Sequence, residues 1–401
     1  MKDYCVDSEK DSIVYRIPYG ALGIVSLAGA TEMGGLVNDW IAGWRQETVN
    51  LYPEIARLSP DYQRDSYLIA HQANRFATGE GKLVINETVR NHDVFILADV
   101  GNYSCTYSMY GQERPMSPDD HYWDIIRTIG AISGKAKRVS VIMPLLYEGR
   151  QHKRTSRESL DCAIALQELD RLGVANIITF DAHDPRVCNA IPLSSFENLS
   201  PHYQVLKAMF RTEKNLNVHK DHMLVVSPDE GGLQRNIYYA SMLGLNVSTF
   251  YKRRDYTRVV NGKNPIISHE YLGDNLDGKD VLIADDLIGS GDSVLDVARE
   301  LKNRNANRVY VVVTFAQFTQ GLEKFHEAYA EGLISRVYAT NLTYRTPELL
   351  AAPWFVDVNM SKFVAYLIET LNHDQSLSHL IDPSDKIHSL MKRYENGCCR
   401  G

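Results

Sequence analysis

The chain has 401 residues, of which 44% are hydrophobic and 23% are charged, a balance typical of a globular protein long enough for two domains. Its formal net charge of -7 argues against broad nucleic-acid binding, because a protein that neutralises many phosphates carries a basic excess. It has neither a run of about 18 apolar residues nor an apolar secretory signal, so we expect a cytoplasmic protein without a membrane segment.

Short apolar runs rich in Val and Ile recur along the chain and predict β-strands. Their continuous apolarity, rather than alternation, is typical of strands covered on both faces, as in parallel sheets. The eight runs are 23–28, 93–99, 138–144, 176–181, 223–229, 246–250, 281–286 and 308–315. Helical segments such as 159–173 and 230–244 alternate with these runs, which predicts an α/β architecture.

The sequence predicts two related α/β halves. Ser, Asn and Pro cluster at 194–203, so we place a domain boundary there, between an N-terminal domain of residues 1–200 and a C-terminal domain of residues 201–401. The segment 102–121 is predicted to be a long loop. The residues after about 384 are predicted to form an appended helix.

A carboxylate pair and a small-residue loop form the most informative motif. Asp285 and Asp286 come at the end of an apolar strand, and in doubly wound sheets ligands bind at this end of the strands. We expect the chain to turn there, so that both carboxylates accept hydrogen bonds from vicinal sugar hydroxyls. Glycines that turn backbone N–H groups toward one point, followed by a helix N-terminus, are typical of a phosphate site. The loop consists of Gly289, Ser290, Gly291, Asp292 and Ser293.

Carboxylates that bind sugar hydroxyls, followed by backbone amides that bind phosphate, together predict a protein that binds a sugar phosphate. The alternative is a simple turn before a well-capped helix, in which Ser293 and Asp296 form a capping box.

This motif resembles the phosphoribosyl-binding motif of the phosphoribosyltransferase fold. Six further segments, in the same order, resemble those of ribose-phosphate pyrophosphokinases. They are 75–97 (adenine-contacting hairpin and strand), 143–157 (catalytic flexible loop), 177–187 (metal-binding turn), 225–232 (ribose-side signature), 250–255 (catalytic Lys and Arg) and 355–371 (closing strand and helix). The resemblance covers roughly residues 22–383 and implies two phosphoribosyltransferase-like domains, each a mostly parallel sheet flanked by helices.

The family's reaction transfers the diphosphoryl group of ATP to the anomeric hydroxyl of ribose 5-phosphate, giving phosphoribosyl pyrophosphate and AMP, with Mg²⁺. The resemblance implies that the catalytic residues are Lys252, Arg254, Arg150, Lys153 and Arg154. It implies that ATP is bound by Phe76, Thr78, Glu80, Arg150, Gln151 and His183. It assigns Asp229, Asp285, Asp286 and the five loop residues to the ribose phosphate, and His183 and Asp229 to the metal. It also implies a homo-oligomer, either a dimer or a hexamer.

Elementary chemistry gives each of these groups a role and a simpler alternative. The basic segment that begins at Arg150 suits a nucleotide's phosphates, but a solvated surface loop has the same composition. Lys252 and Arg254 would stabilise charge on transferred phosphoryl oxygens, or would simply end a strand. His183 would contact Mg²⁺ or its water, or would be a hydrogen-bonded structural residue. Phe76 would stack on adenine, or would belong to the core.

Four positions depart from the family pattern. Gly289 stands where an Asp is usual and Asp292 where a Gly is usual, so the carboxylate of Asp292 must point away from the phosphate or weaken its binding. His152 replaces an Asp, and Thr78 replaces an Asn.

These departures leave three alternatives open. The first is a diphosphokinase acting on a different phosphorylated ribose. The second is a catalytically silent regulatory homologue. The third is a phosphoribosyltransferase, which would leave residues 75–183 unexplained.

Overall fold

The computed structural model describes residues 17–254 and 266–396, and for residues 252–254 and 266–269 it describes the backbone only. The described chain forms two compact units. Unit 1 runs to Leu199 and also contains Leu342–Tyr344 and Met360–Ile381. Unit 2 contains Ser200–Asn341, Arg345–Asn359 and the residues from Asp382 onward. Two segments of the expected second domain, 201–401, therefore lie in unit 1.

The strands and helices alternate along most of the chain. The strands are β1 (Ala21–Ser26), β2 (His71–Arg75), β3 (Gly81–Ile85), β4 (His92–Leu97), β5 (Thr106–Met109), β6 (Gln112–Pro115), β7 (Arg138–Ile142), β8 (Asn176–Phe180), β9 (Ser195–Leu199), β10 (Met223–Ser227), β11 (Val247–Arg254), β12 (Ile266–Leu272), β13 (Asp280–Ile288), β14 (Val309–Ala316), β15 (Arg336–Thr340) and β16 (Phe355–Val358). The helices are α1 (Thr31–Leu51), α2 (Ile55–Leu58), α3 (Pro118–Ile132), α4 (Asp161–Arg171), α5 (His202–Thr212), α6 (Leu233–Leu243), α7 (Asp292–Asn303), α8 (Glu323–Ala330), α9 (Pro347–Ala351), α10 (Ser361–Asn372), α11 (Ser378–Ile381) and α12 (Ser384–Glu395).

Unit 1 is built on a five-stranded parallel sheet in the order β1-β4-β7-β8-β9. One face packs against α3 and α4 through a core that includes Val94, Ile125 and Leu166. On the other face, the ring of Phe180 contacts Phe363 of α10, with the ring centroids 5.9 Å apart. Coverage of both faces explains why these strands are continuously apolar.

A buried charge cluster fastens α10 to the rest of unit 1. Arg45 of α1, 2% exposed, lies 2.5 Å from Glu369 and 2.7 Å from Asp61. The Arg45 guanidinium also donates to the Asn372 side chain, whose amide in turn donates to the backbone oxygen of Gly20. Burial opposes ionisation of Glu369, but the charge of Arg45 and the hydrogen bond from His373 outweigh it and lower the pKa of Glu369 to about 2.

Unit 2 is built on a seven-stranded sheet in the order β12-β11-β10-β13-β14-β15-β16. All pairings are parallel except that of β12 with β11. The central strand β13 contributes Ile283 to a core that also contains Leu295 of α7 and Phe325 of α8. The predicted α/β class with mostly parallel sheets is confirmed, and each of the eight predicted runs overlaps a strand.

One local prediction is wrong, and one strand was not predicted. The segment 102–121 is not a long loop, because β5 and β6 pair as a hairpin and α3 follows from Pro118 with a Ser117 capping box. The segment 194–203, where the domain boundary is expected, contains the strand β9, which adds to the edge of the first sheet by pairing with β8. No helix in the described ranges is long and apolar enough to cross a membrane.

Candidate active site

The paired acids lie on the part of β13 that extends beyond its neighbour β10. Pairing with β10 reaches only Ile283, whereas β13 continues to Ile288, so the chain does not turn directly after Asp286 as expected. Asp285 is half-buried and Asp286 is 9% exposed. Burial and the adjacent charge of Asp286 raise the pKa of Asp285 well above its ordinary value, although Arg235, 3.7 Å away, opposes the rise.

The side-chain amide of Asn236 holds β13 in place just before the acids. Its Nδ2 donates to the backbone oxygen of Ala284 at 2.8 Å, and its Oδ1 accepts from the Ala284 N–H at 3.0 Å. In a regular parallel ladder the next donor on β10 after Val226 would be residue 228, which is a proline and has no N–H. Asn236 therefore replaces the missing rung of the sheet.

Asp229 lies in the turn between β10 and α6. Its Oδ1 accepts from the Gly232 N–H at 3.1 Å, and its backbone oxygen accepts from the Ser227 hydroxyl at 2.7 Å. The helix begins at Leu233, and its N-cap residue Gly232 has no side chain to cap it. The carboxylate of Asp229 thus shapes the turn rather than capping the first residue of the helix.

The loop after β13 is fixed by contacts with the segment that leads into α8. Gly291 has φ = 85°, and a Cβ at this position would lie 2.3 Å from Cε2 of Phe325. The backbone oxygen of Gly289 accepts from the Thr319 N–H at 3.0 Å. Glycine is required at 291 by both its backbone conformation and this close approach.

The helix after the loop begins two residues earlier than the expected capping box implies. Its N-cap is Gly291, and no side-chain cap is present, so the prediction of Ser293 with Asp296 as a capping box is wrong. Asp292 is the first helical residue, and its Oδ1 lies 2.5 Å from Nζ of Lys324. The ion pair with Lys324 lowers the pKa of Asp292, which keeps this carboxylate charged.

In unit 1, the basic segment follows β7 as irregular chain. Arg150, Gln151, Lys153 and Arg154 are all exposed, and a backbone hydrogen bond from Gln151 to Glu148 closes the turn at its start. Exposed cations on an irregular segment are accessible to a triphosphate. The same exposure is also expected of a solvated surface loop, so it does not distinguish the two interpretations.

His152, in the same segment, contacts the turn after β8. Its Nε2 lies 3.5 Å from Asp184, and its ring centroid lies 5.4 Å from that of the exposed His183. Burial lowers the pKa of His152. A bidentate contact from Arg186 lowers the pKa of Asp184 far below its ordinary value.

The edge strand β9 holds this turn in position. The Asp181 N–H donates to the Leu199 backbone oxygen at 2.7 Å, and the Ala182 N–H donates to the Asn198 side chain at 2.9 Å. Asp181 itself has φ = 45°, a left-handed conformation that turns the chain sharply after β8. The strand that was not predicted thus positions the predicted metal-binding turn.

The proposed adenine residues lie at the tip of the β2–β3 hairpin. Phe76 is 52% exposed, so the alternative that it belongs to the core does not hold. Its N–H donates to the Glu80 backbone oxygen at 2.8 Å, and the Thr78 hydroxyl donates to the Glu80 carboxylate at 2.9 Å. The turn of the β5–β6 hairpin supports this tip, because the Tyr110 N–H donates to Ala77 at 2.9 Å.

Lys252 and Arg254 lie at the end of β11, which pairs with β12. Their side chains lie outside the described part of the structure, so their catalytic assignment stays a prediction. The structure brings together His152, His183 and Asp184 in unit 1, and the acids, Asn236 and Arg235 in unit 2. Within residues 17–254 and 266–396, no group of three or more His, Cys, Asp or Glu side chains could hold a metal.

Sequence reasoning missed Arg235, Asn236 and Lys324. The first two lie in the predicted helix 230–244, three and four residues after Gly232, and their closeness in sequence to Asp229 was the available signal. Lys324 lies 32 residues from Asp292, and only the packing of α8 against the loop brings them together.

Comparison with known proteins identifies both halves. The family model for the N-terminal domain of ribose phosphate pyrophosphokinase matches residues 48–173, and the phosphoribosyl transferase domain model matches residues 196–336. Together the two matches span about two thirds of the chain.

Curated relatives agree with these matches. A ribose-phosphate pyrophosphokinase of Mycoplasma pneumoniae is 28% identical over 72% of this chain and 80% of its own length. One from Vibrio cholerae is 26% identical over 83% of this chain and 97% of its own length. The solved phosphoribosylpyrophosphate synthetase of Mycobacterium smegmatis shares the fold with a TM-score of 0.67 at 20% identity, covering 88% of this chain and 99% of that chain. The chain belongs to the ribose-phosphate pyrophosphokinase family.

Proposed function

We propose that this protein transfers the diphosphoryl group of ATP to the anomeric hydroxyl of ribose 5-phosphate, giving phosphoribosyl pyrophosphate and AMP. The observation that carries the proposal is the end of β13, where two carboxylates precede a loop of small residues at the N-terminus of α7. Asp285 and Asp286 accept hydrogen bonds from the sugar hydroxyls. The backbone amides of the loop 289–293 and the helix N-terminus bind the 5-phosphate.

The donor side needs positive charge rather than a covalent nucleophile. Phosphoryl transfer is promoted mainly by neutralising the phosphate oxygens and aligning the acceptor with the leaving group. Arg150, Lys153 and Arg154 are the exposed cations that supply this charge, and Lys252 and Arg254 supply the remainder. At the β2–β3 hairpin, the exposed ring of Phe76 stacks on adenine, with Thr78 and Glu80 beside it.

Mg²⁺ is the metal proposed for this reaction, and His183 in unit 1 and Asp229 in unit 2 are separate candidate contacts for it. Mg²⁺ typically keeps several waters and is bound by one or two carboxylates together with the phosphates of the substrate. When bound, the ion neutralises charge on the transferred group. Asp184 is less suited as a ligand, because both of its oxygens accept hydrogen bonds from Arg186.

A second candidate is diphosphoryl transfer to a different phosphorylated ribose. It is favoured by Gly289, where a Cβ would meet no atom within 4 Å in the part of the chain that the structure describes. The space at Gly289 would accommodate a larger acceptor beside the paired acids.

An acceptor panel tests both candidates. Purified protein with Mg²⁺ and ATP should release AMP with ribose 5-phosphate, and much less with ribose, which lacks the phosphate. A larger phosphorylated ribose that gives a higher kcat/KM would favour the second candidate. AMP release that is the same with and without every acceptor would reject both. A homo-oligomer is also proposed, and sedimentation velocity would measure its size.

A further inference from the structure

The loop at the N-terminus of α7 carries its own anion. Asp292 lies in the first turn, where the helix dipole and free N–H groups favour negative charge. This carboxylate occupies the kind of environment in which the substrate's phosphate is proposed to bind. A phosphate with two negative charges would be repelled by a neighbouring carboxylate unless a cation compensates.

Lys324 is that cation. Its Nζ lies 2.5 Å from Asp292 Oδ1 and 2.9 Å from Gln320 Oε1. The backbone that carries Lys324 is fixed beside the loop, because Phe325 packs against Gly291 and Thr319 donates to Gly289. The lysine is therefore held next to the phosphate loop by three separate contacts between the loop and the segment 319–325.

The ion pair between Lys324 and Asp292 is not needed for the stability of the fold. Lys324 is 47% exposed and Asp292 is 51% exposed. Exposed ion pairs of this kind contribute little to the stability of a fold, because water screens both charges. Because the pair separates at little cost in free energy, an incoming anion can take over the ammonium group from the carboxylate.

We propose that Lys324 is a phosphate-binding residue of the sugar-phosphate site, and that Asp292 is its counter-ion, which the substrate's phosphate displaces. This inference rests on the proposed function, since it assumes that the loop binds the phosphate of the acceptor. The Lys324 ammonium then donates to phosphate oxygen, and Asp292 sets the affinity by competing with that phosphate.

A double-mutant cycle tests the inference. The variants are Lys324→Gln, Asp292→Asn and the double variant, and the matched control is Arg304→Gln. The control breaks another partly exposed ion pair, in which the C-cap residue Arg304 lies 2.6 Å from Glu300 at the opposite end of α7. Calorimetry measures the Kd for ribose 5-phosphate, and AMP release measures its KM.

Lys324→Gln should weaken ribose 5-phosphate binding about tenfold, and Asp292→Asn should strengthen it about threefold, as expected for single charges near a phosphate. The double variant should bind more tightly than Lys324→Gln, and the control should bind like wild type. Wild-type affinity in both single variants would overturn the inference even if AMP release establishes the function. Binding that follows the expected order without any AMP release would support the inference and reject the proposed function.

Discussion

Replacing Asn236 with alanine should loosen β13 where it carries the paired acids. The Asn236 side chain has 0% exposure, and its two hydrogen bonds to Ala284 replace the rung lost at Pro228. The substitution leaves the N–H and carbonyl groups of Ala284 without these partners in a fully buried position. A buried polar group without a partner costs about 1–3 kcal/mol, so the two groups together should cost about 2–6 kcal/mol of unfolding free energy.

Function should be affected as well as stability. A strand end that fluctuates would no longer hold Asp285 and Asp286 against the sugar hydroxyls, so the KM for ribose 5-phosphate should rise more than the KM for ATP. Urea denaturation measures the first effect, and AMP-release kinetics measure the second.

Two variants serve as controls for this prediction. Gln234→Ala changes a neighbouring amide of the same helix that is not fully buried, and it should change the unfolding free energy by less than about 0.5 kcal/mol. Asn236→Asp keeps an oxygen that accepts from Ala284 but loses the donor and adds negative charge near the paired acids, so it should be no better than alanine. If Asn236→Ala unfolds at the wild-type urea concentration and keeps the wild-type KM for ribose 5-phosphate, the role given to Asn236 is refuted.

Three further predictions concern pH and backbone geometry. Because the pKa of Asp285 is raised, kcat/KM for ribose 5-phosphate should decrease on acidification at a higher pH than an ordinary aspartate would give. Asp285→Asn should remove this acid-side decrease from the pH profile. A variant with the same pH profile as wild type would contradict the role of Asp285. The pKa of Glu369 is lowered from 4.5 to about 2, so its interactions with Arg45 and His373 together contribute about 3 kcal/mol that is present above pH 4.5 and lost as the pH falls toward 2. Acid titration followed by circular dichroism should therefore show Arg45→Met unfolding at a higher pH than wild type, and an identical midpoint would count against the pairing. Gly291→Ala should destabilise the fold by about 1–3 kcal/mol and weaken ribose 5-phosphate binding. Gly289→Ala is the control, because a Cβ at position 289 has open space around it, and it should have little effect on stability. Equal melting temperatures for the two variants would refute the steric argument.

The buried strands were predictable because their apolarity follows directly from their position. The runs 281–286 and 308–315 form the centre of the second sheet, where both faces are covered, and no tertiary information was needed to recognise them. The strand β9 was not recognised, because an edge strand with the polar sequence SFENL has the composition of a linker. Only its pairing with β8 identifies it as a strand.

Contacts between distant segments were not predictable. The helix α10 was expected from its resemblance, but its sequence does not indicate that it covers the first sheet through Phe363 and Glu369. The expected capping box failed for a related reason: Gly291 packs against Phe325 in a left-handed conformation, and the helix begins immediately after it. The partner of Asp292 could not be identified without the packing of α8.

The most direct test of the proposed reaction is ³¹P NMR of the purified protein with Mg²⁺, ATP and ribose 5-phosphate. Transfer of the diphosphoryl group predicts that AMP and a new diphosphate on the sugar appear together in equal amounts as ATP disappears. Formation of ADP in place of AMP, or an unchanged spectrum with every phosphorylated ribose in the panel, would contradict the assignment.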